Sequence, residues 1–474
     1  MTEIHDLTAI ELARAVRNRE LSPMEITDHY LTRIERHDAR LGAFITVIQE
    51  SAREQARNAE KRVIQDTPAD LPPLLGVPIP IKDLEPLAGV RHTYGSQAFT
   101  DYTATDDAAV VGQLRAAGAV FPGKTNTPEF GSPCYTENDI APPARTPWDL
   151  TRSAGGSSGG AAAAVAGGLA PVAQGGDGGG SIRIPASVCG VFGIKPTRGR
   201  ISAAPTKPDL IGLSTAGPLT RTVSDAALLL DVMSVNLPGD YYTAPPLPDG
   251  TTFLDHARRD PGRLRIARFR TPVVPGVEVH PDVTAAYESA TELLVALGHD
   301  VEEIDPPFSP DLLDLFSTVW AAMALTVPVP PEREEHLRPI NRWLRERARS
   351  LTAHDYLRAT TGLQQGVRAA LPRMLAYDAV LTPTLAQPPV PVGHFDTDPV
   401  EEFARMTAFT PFTSMFNITG QPSVSVPLHW TEQDLPIGVM LSGPMGGEPT
   451  LLALSAQLEA ARPWAGRTPP IWTE

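Results

Sequence analysis

An α/β fold with a mixed or parallel sheet is the architecture that this sequence predicts. Short apolar segments of strand character alternate along the chain with segments of helical periodicity, as in folds whose helices cover a sheet. The chain has 474 residues, of which 42% are hydrophobic, so it can build a large core. Its 49 prolines are spread along the sequence rather than clustered as in a disordered segment.

The first half of the chain gives the clearest elements. The second predicted helix begins at Ser22-Pro23, a typical N-cap followed by proline in the first turn. The run LLGVPIPIKDL has the apolar character of a buried strand interrupted by prolines. In order, we predict helices at 8–20, 22–37 and 49–65, a strand at 74–84, a helix at 106–117, a strand and its exit at 118–125, a helix at 159–168, a strand at 169–173 and a helix start at 181–190.

The second half is less regular. Residues 235–262 are rich in Pro, Gly and Asp, which predicts a connector. After it, we predict a strand at 263–269, helices at 281–297 and 332–350, a surface loop at 388–399 and strands at 424–428 and 437–443.

The charge of the chain argues against polyanionic partners. Forty basic and 55 acidic residues give a formal net charge of −15. Nucleic acids and anionic membranes favour positively charged surfaces, so neither is expected as a partner. No stretch reaches 18 apolar residues, and the N-terminus shows no apolar signal-peptide region. We therefore expect a cytoplasmic protein. Cys134 and Cys189 fit no metal-binding pattern.

GAVFPGKT at 118–125 matches the G-x4-G-K-T pattern of phosphate loops, but its context does not fit. Such a loop needs a strand before the first glycine and a helix that opens at the lysine. Here a predicted helix precedes Gly118, and Thr-Asn-Thr-Pro follows Lys124. We interpret Lys124 as a lysine at a strand end.

GGSSG at 155–159 matches the G-x-S-x-G elbow of α/β-hydrolases, with Ser157 as the nucleophile. An elbow needs an apolar strand in front of it, and the preceding ARTPWDLTRSA is polar. None of the later histidines is marked by its context as the base of a Ser-His-Asp triad.

The wider stretch at 154–197, AGGSSGGAAAAVAGGLAPVAQGGDGGGSIRIPASVCGVFGIKPT, resembles the signature of the amidase signature family. GVPIPIKD at 76–83, GKTNTPEF at 123–130, GPLTRTVSDA at 217–226 and NITGQPSVSVP at 417–427 resemble further family motifs. The resemblance covers nearly the whole chain in the family's order. It implies a central mixed, twisted sheet flanked by helices on both faces. It also implies one domain over 1–474, with a helical segment at 1–66, a catalytic core at 67–234 and the remainder of the fold at 235–474.

The resemblance implies a Ser-cisSer-Lys triad made of Ser181, Ser157 and Lys82. Ser181 is the expected nucleophile, Ser157 the bridging serine on a cis peptide bond, and Lys82 the base. A serine hydroxyl attacks only when another group removes its proton, and a lysine can do so only when it is neutral. The apolar residues before Lys82 predict the burial that favours a neutral amine. Ser157 is expected to relay the proton.

The glycine run before Ser181 predicts an oxyanion hole. Backbone N–H groups of Gly178, Gly179, Gly180 and Ser181 can converge on one oxygen atom, aided by the start of a helix. The resemblance implies supporting roles for Ser158, Asp177 and Arg183. Family members often carry Thr at the position of Gly176 and Thr or Ile at that of Gly178, which predicts a less braced loop here.

The substrate is expected to be small, uncharged and fairly hydrophobic. We expect Gly131, Cys134 and Tyr135 to line its pocket, with further walls near 318–324 and 412–416, because these segments are apolar, aromatic or small. The signature resembles those of bacterial aryl acylamidases, nylon-oligomer hydrolases and urethanases. This implies hydrolysis of amides, with carbamates and esters as further substrates, by a monomer or homodimer without metal or cofactor.

Two other functions remain open from the sequence. A catalytic subunit of a tRNA-dependent amidotransferase shares the fold and the triad, although the acidity of the chain disfavours contact with tRNA. A non-catalytic scaffold that retains the fold is disfavoured by the intact Lys82, Ser157 and Ser181.

Overall fold

The structure, a computed structural model, describes residues 3–205 and 211–474. Its α-helices are α1 Ala9–Arg17, α2 Pro23–Leu41, α3 Gln49–Gln65, α4 Ala109–Ala116, α5 Gly159–Ala166, α6 Arg183–Cys189, α7 Val223–Met233, α8 Phe253–Ala257, α9 Pro281–Ala296, α10 Asp311–Met323, α11 Pro339–Ser350, α12 Ala353–Met374, α13 Pro399–Phe409, α14 Thr413–Thr419 and α15 Glu448–Ala461. Its strands are β1 Phe44–Val47, β2 Ile81–Lys82, β3 Gly123–Thr125, β4 Val172–Asp177, β5 Phe192–Lys195, β6 Thr215–Thr220, β7 Arg265–Arg268, β8 Asp300–Glu303, β9 Ala379–Pro383, β10 Ser423–Trp430 and β11 Pro436–Ser442.

Two sheets organise the described part of the chain. The larger has eight strands in the order β4-β6-β5-β10-β11-β9-β7-β8. Its strands pair antiparallel from β4 as far as β9, and β9, β7 and β8 pair in parallel. The smaller sheet has the order β1-β3-β2. This large mixed sheet flanked by helices confirms the predicted fold class.

Several sequence predictions need correction. The strand predicted at 74–84 shrinks to Ile81–Lys82, because prolines lack the N–H that a ladder requires. The helix predicted at 332–350 begins only at Pro339, after a 3-10 turn. The connector predicted at 235–262 contains the short helix α8.

The sequence patterns did not reveal several elements of the large sheet. β5 is buried along its whole length, and β6 contains both glycine and proline. A strand buried on both faces shows no apolar–polar alternation, so its sequence carries little period-2 signal. The missed strands β5 and β6 lie between β4 and the predicted strand β10.

Helix α5 is wholly enclosed in the protein. All eight of its residues, GGAAAAVA, are buried. A methyl group at Gly160 would lie 2.4 Å from the backbone oxygen of Ala43 and 2.4 Å from the backbone nitrogen of Asn126. Only glycine permits this close approach, which fixes the position of the segment just before the helix.

Candidate active site

A lysine stands at the end of a short buried strand. β2 contains only Ile81 and Lys82, and Lys82 is 1% exposed. Its backbone N–H donates a hydrogen bond to Gln174 Oε1 at 3.0 Å. Because Gln174 lies on β4, this bond ties the small sheet to the large one next to the lysine.

The side-chain nitrogen of Lys82 is surrounded by oxygen atoms. Its Nζ lies 2.7 Å from Ser157 Oγ, 2.9 Å from Ser158 Oγ and 3.2 Å from the carbonyl oxygen of Gly176. Both hydroxyls are therefore candidates for proton exchange with this nitrogen.

The two adjacent serines have different partners. The Ser158 hydroxyl donates to the carbonyl oxygen of Gly176 at 3.1 Å and accepts from the Gly176 N–H at 3.2 Å. Among the described residues, the Ser157 hydroxyl is hydrogen-bonded to Lys82 alone. The peptide bond between Gly156 and Ser157 is cis, as the family resemblance implies. Of the two hydroxyls, only that of Ser158 is also held by backbone atoms of the described residues.

Ser181 lies between β4 and α6 and is 6% exposed. Its carbonyl oxygen accepts a hydrogen bond from the Ser158 N–H at 3.1 Å, which brings together the two loops that carry the serines. The backbone N–H groups of Gly178, Gly179 and Ser181 are not hydrogen-bonded to any described residue. They are available to an oxygen atom of a bound molecule.

Gly180 departs from its predicted place in the oxyanion hole. Its N–H donates to Asp177 Oδ1 at 2.7 Å and is therefore already occupied. The residue has a φ of +134°, and a methyl group there would lie 2.4 Å from Thr413 Oγ1. Gly180 is therefore needed for the turn and for the close approach to α14. The N–H groups of Gly178, Gly179 and Ser181 remain as candidate donors.

A buried ion pair holds the loop in front of Ser181. Arg183 binds Asp177 through two hydrogen bonds of 2.9 Å, and both side chains are fully buried. Asn417 Nδ2 donates to Asp177 Oδ1 at 2.9 Å. Burial alone would raise the pKa of Asp177, but the Arg183 guanidinium outweighs it and holds the pKa well below its usual range. The Asp177 carboxylate stays charged and anchors the loop.

A mostly apolar cavity opens beside Ser181. None of the described residues that line it carries a charged side chain. It is lined by Ser132, Pro133, Cys134, Gly179, Ser181, Ile184, Val273, Val274, Leu313, Phe316, Trp320, Phe403, Met406, Thr407, Thr410, Pro411 and Ser414.

Of the three predicted pocket residues, one lines the cavity, one lies beside the triad candidates and one does neither. Cys134 lines the cavity, and burial raises the pKa of its thiol, so it remains protonated. Gly131 lies beside the triad candidates, since a methyl group there would be 3.2 Å from Ser157 Oγ. Tyr135 is not among the residues that line the cavity. It is 2% exposed, its hydroxyl is hydrogen-bonded to Glu402, and its ring stacks on Phe395 at 4.8 Å.

The phosphate-loop interpretation of Lys124 is excluded by its surroundings. Lys124 lies inside strand β3, and its Nζ is 2.8 Å from Asp83 Oδ1 and 3.0 Å from His92 Nδ1. Burial opposes ionisation of Asp83, but the Lys124 charge lowers the pKa of this carboxyl to about 2. Lys124 therefore forms a buried ion pair with Asp83, the residue that follows Lys82.

The sequence patterns did not single out several residues around these groups. Gln174 is a fully buried polar side chain within a strand that otherwise consists of small apolar residues and Asp177, a composition that signals a specific partner. Asn417 opens the NITGQPSVSVP motif, but its contact with Asp177 depends on the fold. Phe316 belongs to a helix that was not predicted, whereas Trp320 on the same helix lies in the segment 318–324 that was expected to wall the pocket.

Residues 3–205 and 211–474 contain neither a metal-binding cluster nor a membrane span. Nowhere in these ranges do three or more His, Cys, Asp or Glu side chains gather as a metal ion would need. In the same ranges, no helix combines the length and the apolar character needed to cross a membrane.

Comparison with known proteins gives one consistent family. The family model described as Amidase matches residues 25–452. A 6-aminohexanoate-cyclic-dimer hydrolase from Paenarthrobacter ureafaciens is 34% identical over 488 residues, which cover 97% of this chain and 95% of the relative. A solved structure of a 6-aminohexanoate cyclic dimer hydrolase with its substrate matches with a TM-score of 0.89, 32% identity and 99% coverage of both chains.

Two further solved structures are similar over almost the whole chain. A bacterial aryl acylamidase of the amidase signature enzymes matches with a TM-score of 0.89 at 26% identity, covering 98% of this chain and 99% of the other. A glutamyl-tRNA(Gln) amidotransferase subunit from Thermotoga maritima matches with a TM-score of 0.78 at 29% identity, covering 98% of this chain and 96% of the other.

Proposed function

This chain belongs to the amidase signature family, and we propose that it hydrolyses small uncharged amides with Ser181 as nucleophile, Ser157 as proton relay and Lys82 as base. As a member of the family it is an amidohydrolase, an enzyme that cleaves C–N bonds. The observation that carries the proposed roles is the buried contact of 2.7 Å between Lys82 Nζ and Ser157 Oγ, on a loop that is hydrogen-bonded to Ser181.

The proposed first step forms an acyl-enzyme. Ser181 Oγ attacks the amide carbon while its proton passes to Ser157, whose own proton passes to the neutral amine of Lys82. The tetrahedral intermediate collapses when the C–N bond breaks, and the leaving amine takes a proton back along the same relay. A water molecule then repeats the sequence on the acyl-enzyme, releasing the carboxylic acid and restoring Ser181.

The negative charge of the intermediate needs hydrogen-bond donors. The N–H groups of Gly178, Gly179 and Ser181 have no described acceptor of their own, which supports their assignment to the oxyanion hole. Removal of one such donor typically lowers the rate about 10²–10³-fold. The bond between Gly180 and Asp177 supports a fixed geometry for the three donors.

The cavity supports an uncharged substrate. A charged substrate would have to give up its hydration in a space whose described lining offers no opposite charge, which is unfavourable. The aromatic and aliphatic walls fit aryl or alkyl amides, and the similar proteins include an aryl acylamidase and a hydrolase of a cyclic amide. The same acyl-enzyme chemistry extends to carbamates and esters.

Replacement of Ser181 tests the mechanism directly. Ser181→Ala should abolish hydrolysis of anilides while leaving the urea unfolding midpoint unchanged, because only the attacking oxygen is removed. A fluorophosphonate should add to the wild-type peptide that contains Ser181 and leave the variant unlabelled, as read by mass spectrometry. Turnover by the variant, or labelling at another serine, would refute the assignment.

The likeness to an amidotransferase subunit supports a second candidate function. A subunit of that kind acts with partner chains, whereas a stand-alone amidase acts as a purified single chain. Assays of the purified chain on anilides, carbamates and free glutamine separate the two. Hydrolysis of anilides or carbamates by the chain alone supports the amidase, and activity that appears only with added partner chains supports the second candidate.

A further inference from the structure

Two aromatic rings of α10 face the loop before Ser181. Phe316 and Trp320 are four residues apart, so they lie on the same side of the helix. Their rings stack with centroids 5.3 Å apart and an interplanar angle of 25°. Both residues also line the cavity that contains Ser181.

The rings face the two glycines at short range. A methyl group at Gly179 would lie 3.6 Å from Phe316 Cζ and 3.8 Å from Trp320 Cη2. A methyl group at Gly178 would lie 3.5 Å from Trp320 Cζ3 and 2.8 Å from Ser214 Oγ. The distances to the rings are ordinary van der Waals distances for such a methyl group, so the rings stand one methyl group away from the glycines and limit how far the backbone can move towards them.

The same loop is held from its other side by a hydrogen bond. The Thr413 hydroxyl donates to the carbonyl oxygen of Gly179 at 2.6 Å. Gly178 and Gly179 have no side chains of their own to restrict the backbone, so their orientation depends on these outside contacts. The backbone of Gly178 and Gly179 thus lies between Thr413 on α14 and the two rings on α10.

We propose that Trp320, supported by Phe316, is a positioning residue for the oxyanion hole. Its ring fixes the peptide groups whose N–H donors face the substrate and keeps water away from them. Such donors are effective when they are already oriented and lie in a dry site. The inference rests on the proposed function, since it assumes that the N–H groups of Gly178 and Gly179 bind the substrate oxygen.

The test compares two aromatic residues of the same cavity. Trp320→Ala should lower kcat on an anilide about 10-fold to 100-fold, because the donors lose their alignment where charge develops, and any rise in KM from its place in the cavity lining should be no larger than that in Phe403→Ala. Phe403 lines the cavity from α13 and is not among the nearest neighbours of either glycine. Phe403→Ala should raise KM and leave kcat within about threefold.

A conservative variant separates positioning from general damage. Trp320→Phe keeps a ring against the glycines and should recover most of the lost kcat, even if Trp320→Ala lowers the thermal unfolding midpoint. An unchanged kcat in Trp320→Ala, or a kcat in Trp320→Phe as low as in the alanine variant, would overturn the inference. Ser181→Ala is measured in parallel. If it is inactive while Trp320→Ala retains full kcat, only the positioning role fails, and if it is active, the proposed function fails.

Discussion

At the scale of single residues, one lysine nitrogen lies within hydrogen-bond distance of two hydroxyl groups. The distances of 2.7 Å to Ser157 and 2.9 Å to Ser158 are too similar to separate the two roles. The other hydrogen bonds of the two hydroxyls do distinguish the two roles. Ser158 already donates to and accepts from the backbone of Gly176, so a proton relay through it would break a structural hydrogen bond.

Alanine variants of the two serines should therefore behave differently. Ser157→Ala should lower kcat about 10²–10⁴-fold with little change in stability, because it removes a proton-transfer group. Ser158→Ala should lower stability by about 0.5–1.5 kcal/mol, because it removes the hydrogen bonds to the half-buried backbone of Gly176, and its kcat should fall less. Steady-state kinetics and urea unfolding of both variants measure the difference. A larger loss of kcat in Ser158→Ala than in Ser157→Ala would mean that Ser158, and not Ser157, is the proton relay.

The sequence predicted the candidate triad and its loop because these residues lie in short contiguous motifs. It did not predict the contacts of Gln174 or Asn417, since each acts through a partner far away in the chain. Gln174 meets the backbone of Lys82, 92 residues earlier, and Asn417 meets Asp177, 240 residues earlier. Such pairs are set by the order of strands in the sheet, which no local pattern encodes.

At the scale of elements, one buried carboxylate of the core caps the N-terminus of the first helix. Asp225 on α7 accepts hydrogen bonds from the N–H groups of Ala9 at 3.1 Å and Ile10 at 3.0 Å. These N–H groups belong to the first turn of α1, where a helix has no partners of its own. The GPLTRTVSDA motif thus contributes a cap to a helix that lies 216 residues earlier in the chain.

Loss of this cap should reduce stability without affecting chemistry. Asp225→Ala leaves the two N–H groups without their acceptor and should cost about 2 kcal/mol in the free energy of unfolding. Asp225→Asn keeps one acceptor oxygen and should lose less. Urea unfolding at pH 7 measures both, and kcat on an anilide should stay within about twofold of wild type. An unchanged unfolding midpoint in Asp225→Ala would show that the cap does not hold α1.

At the scale of the whole molecule, the acidic chain contains carboxyl groups that resist ionisation when it is folded. Burial raises the pKa of Glu459 to about 7, and the nearby Asp225 charge adds to the effect. Burial also raises the pKa of Asp225 to about 6. At these two carboxyls the folded state therefore binds more protons than the unfolded state between about pH 4.5 and 7. Their contribution to the free energy of unfolding falls as the pH rises through this window.

Replacement of Glu459 by glutamine should flatten this dependence. Glu459→Gln stays neutral and keeps an oxygen for the N–H of Val223, which the carboxylate accepts at 3.2 Å. We expect it to be more stable than wild type at pH 8 and similar to wild type at pH 5. Urea unfolding from pH 5 to pH 8 tests this, with the exposed Glu54→Gln as a matched control. A slope equal to that of wild type would contradict the assignment.

The enclosure of α5 has a consequence for how this enzyme can change. Every residue of that helix is buried, and Gly160 fits between two backbones, so the segment that presents Ser157 tolerates almost no substitution. The cavity walls on α10 and α13 lie on helices that also carry exposed residues. Side chains on these two helices can vary without disturbing the core. New substrates should therefore arise by variation in the later half of the chain, around a reaction centre that stays constant.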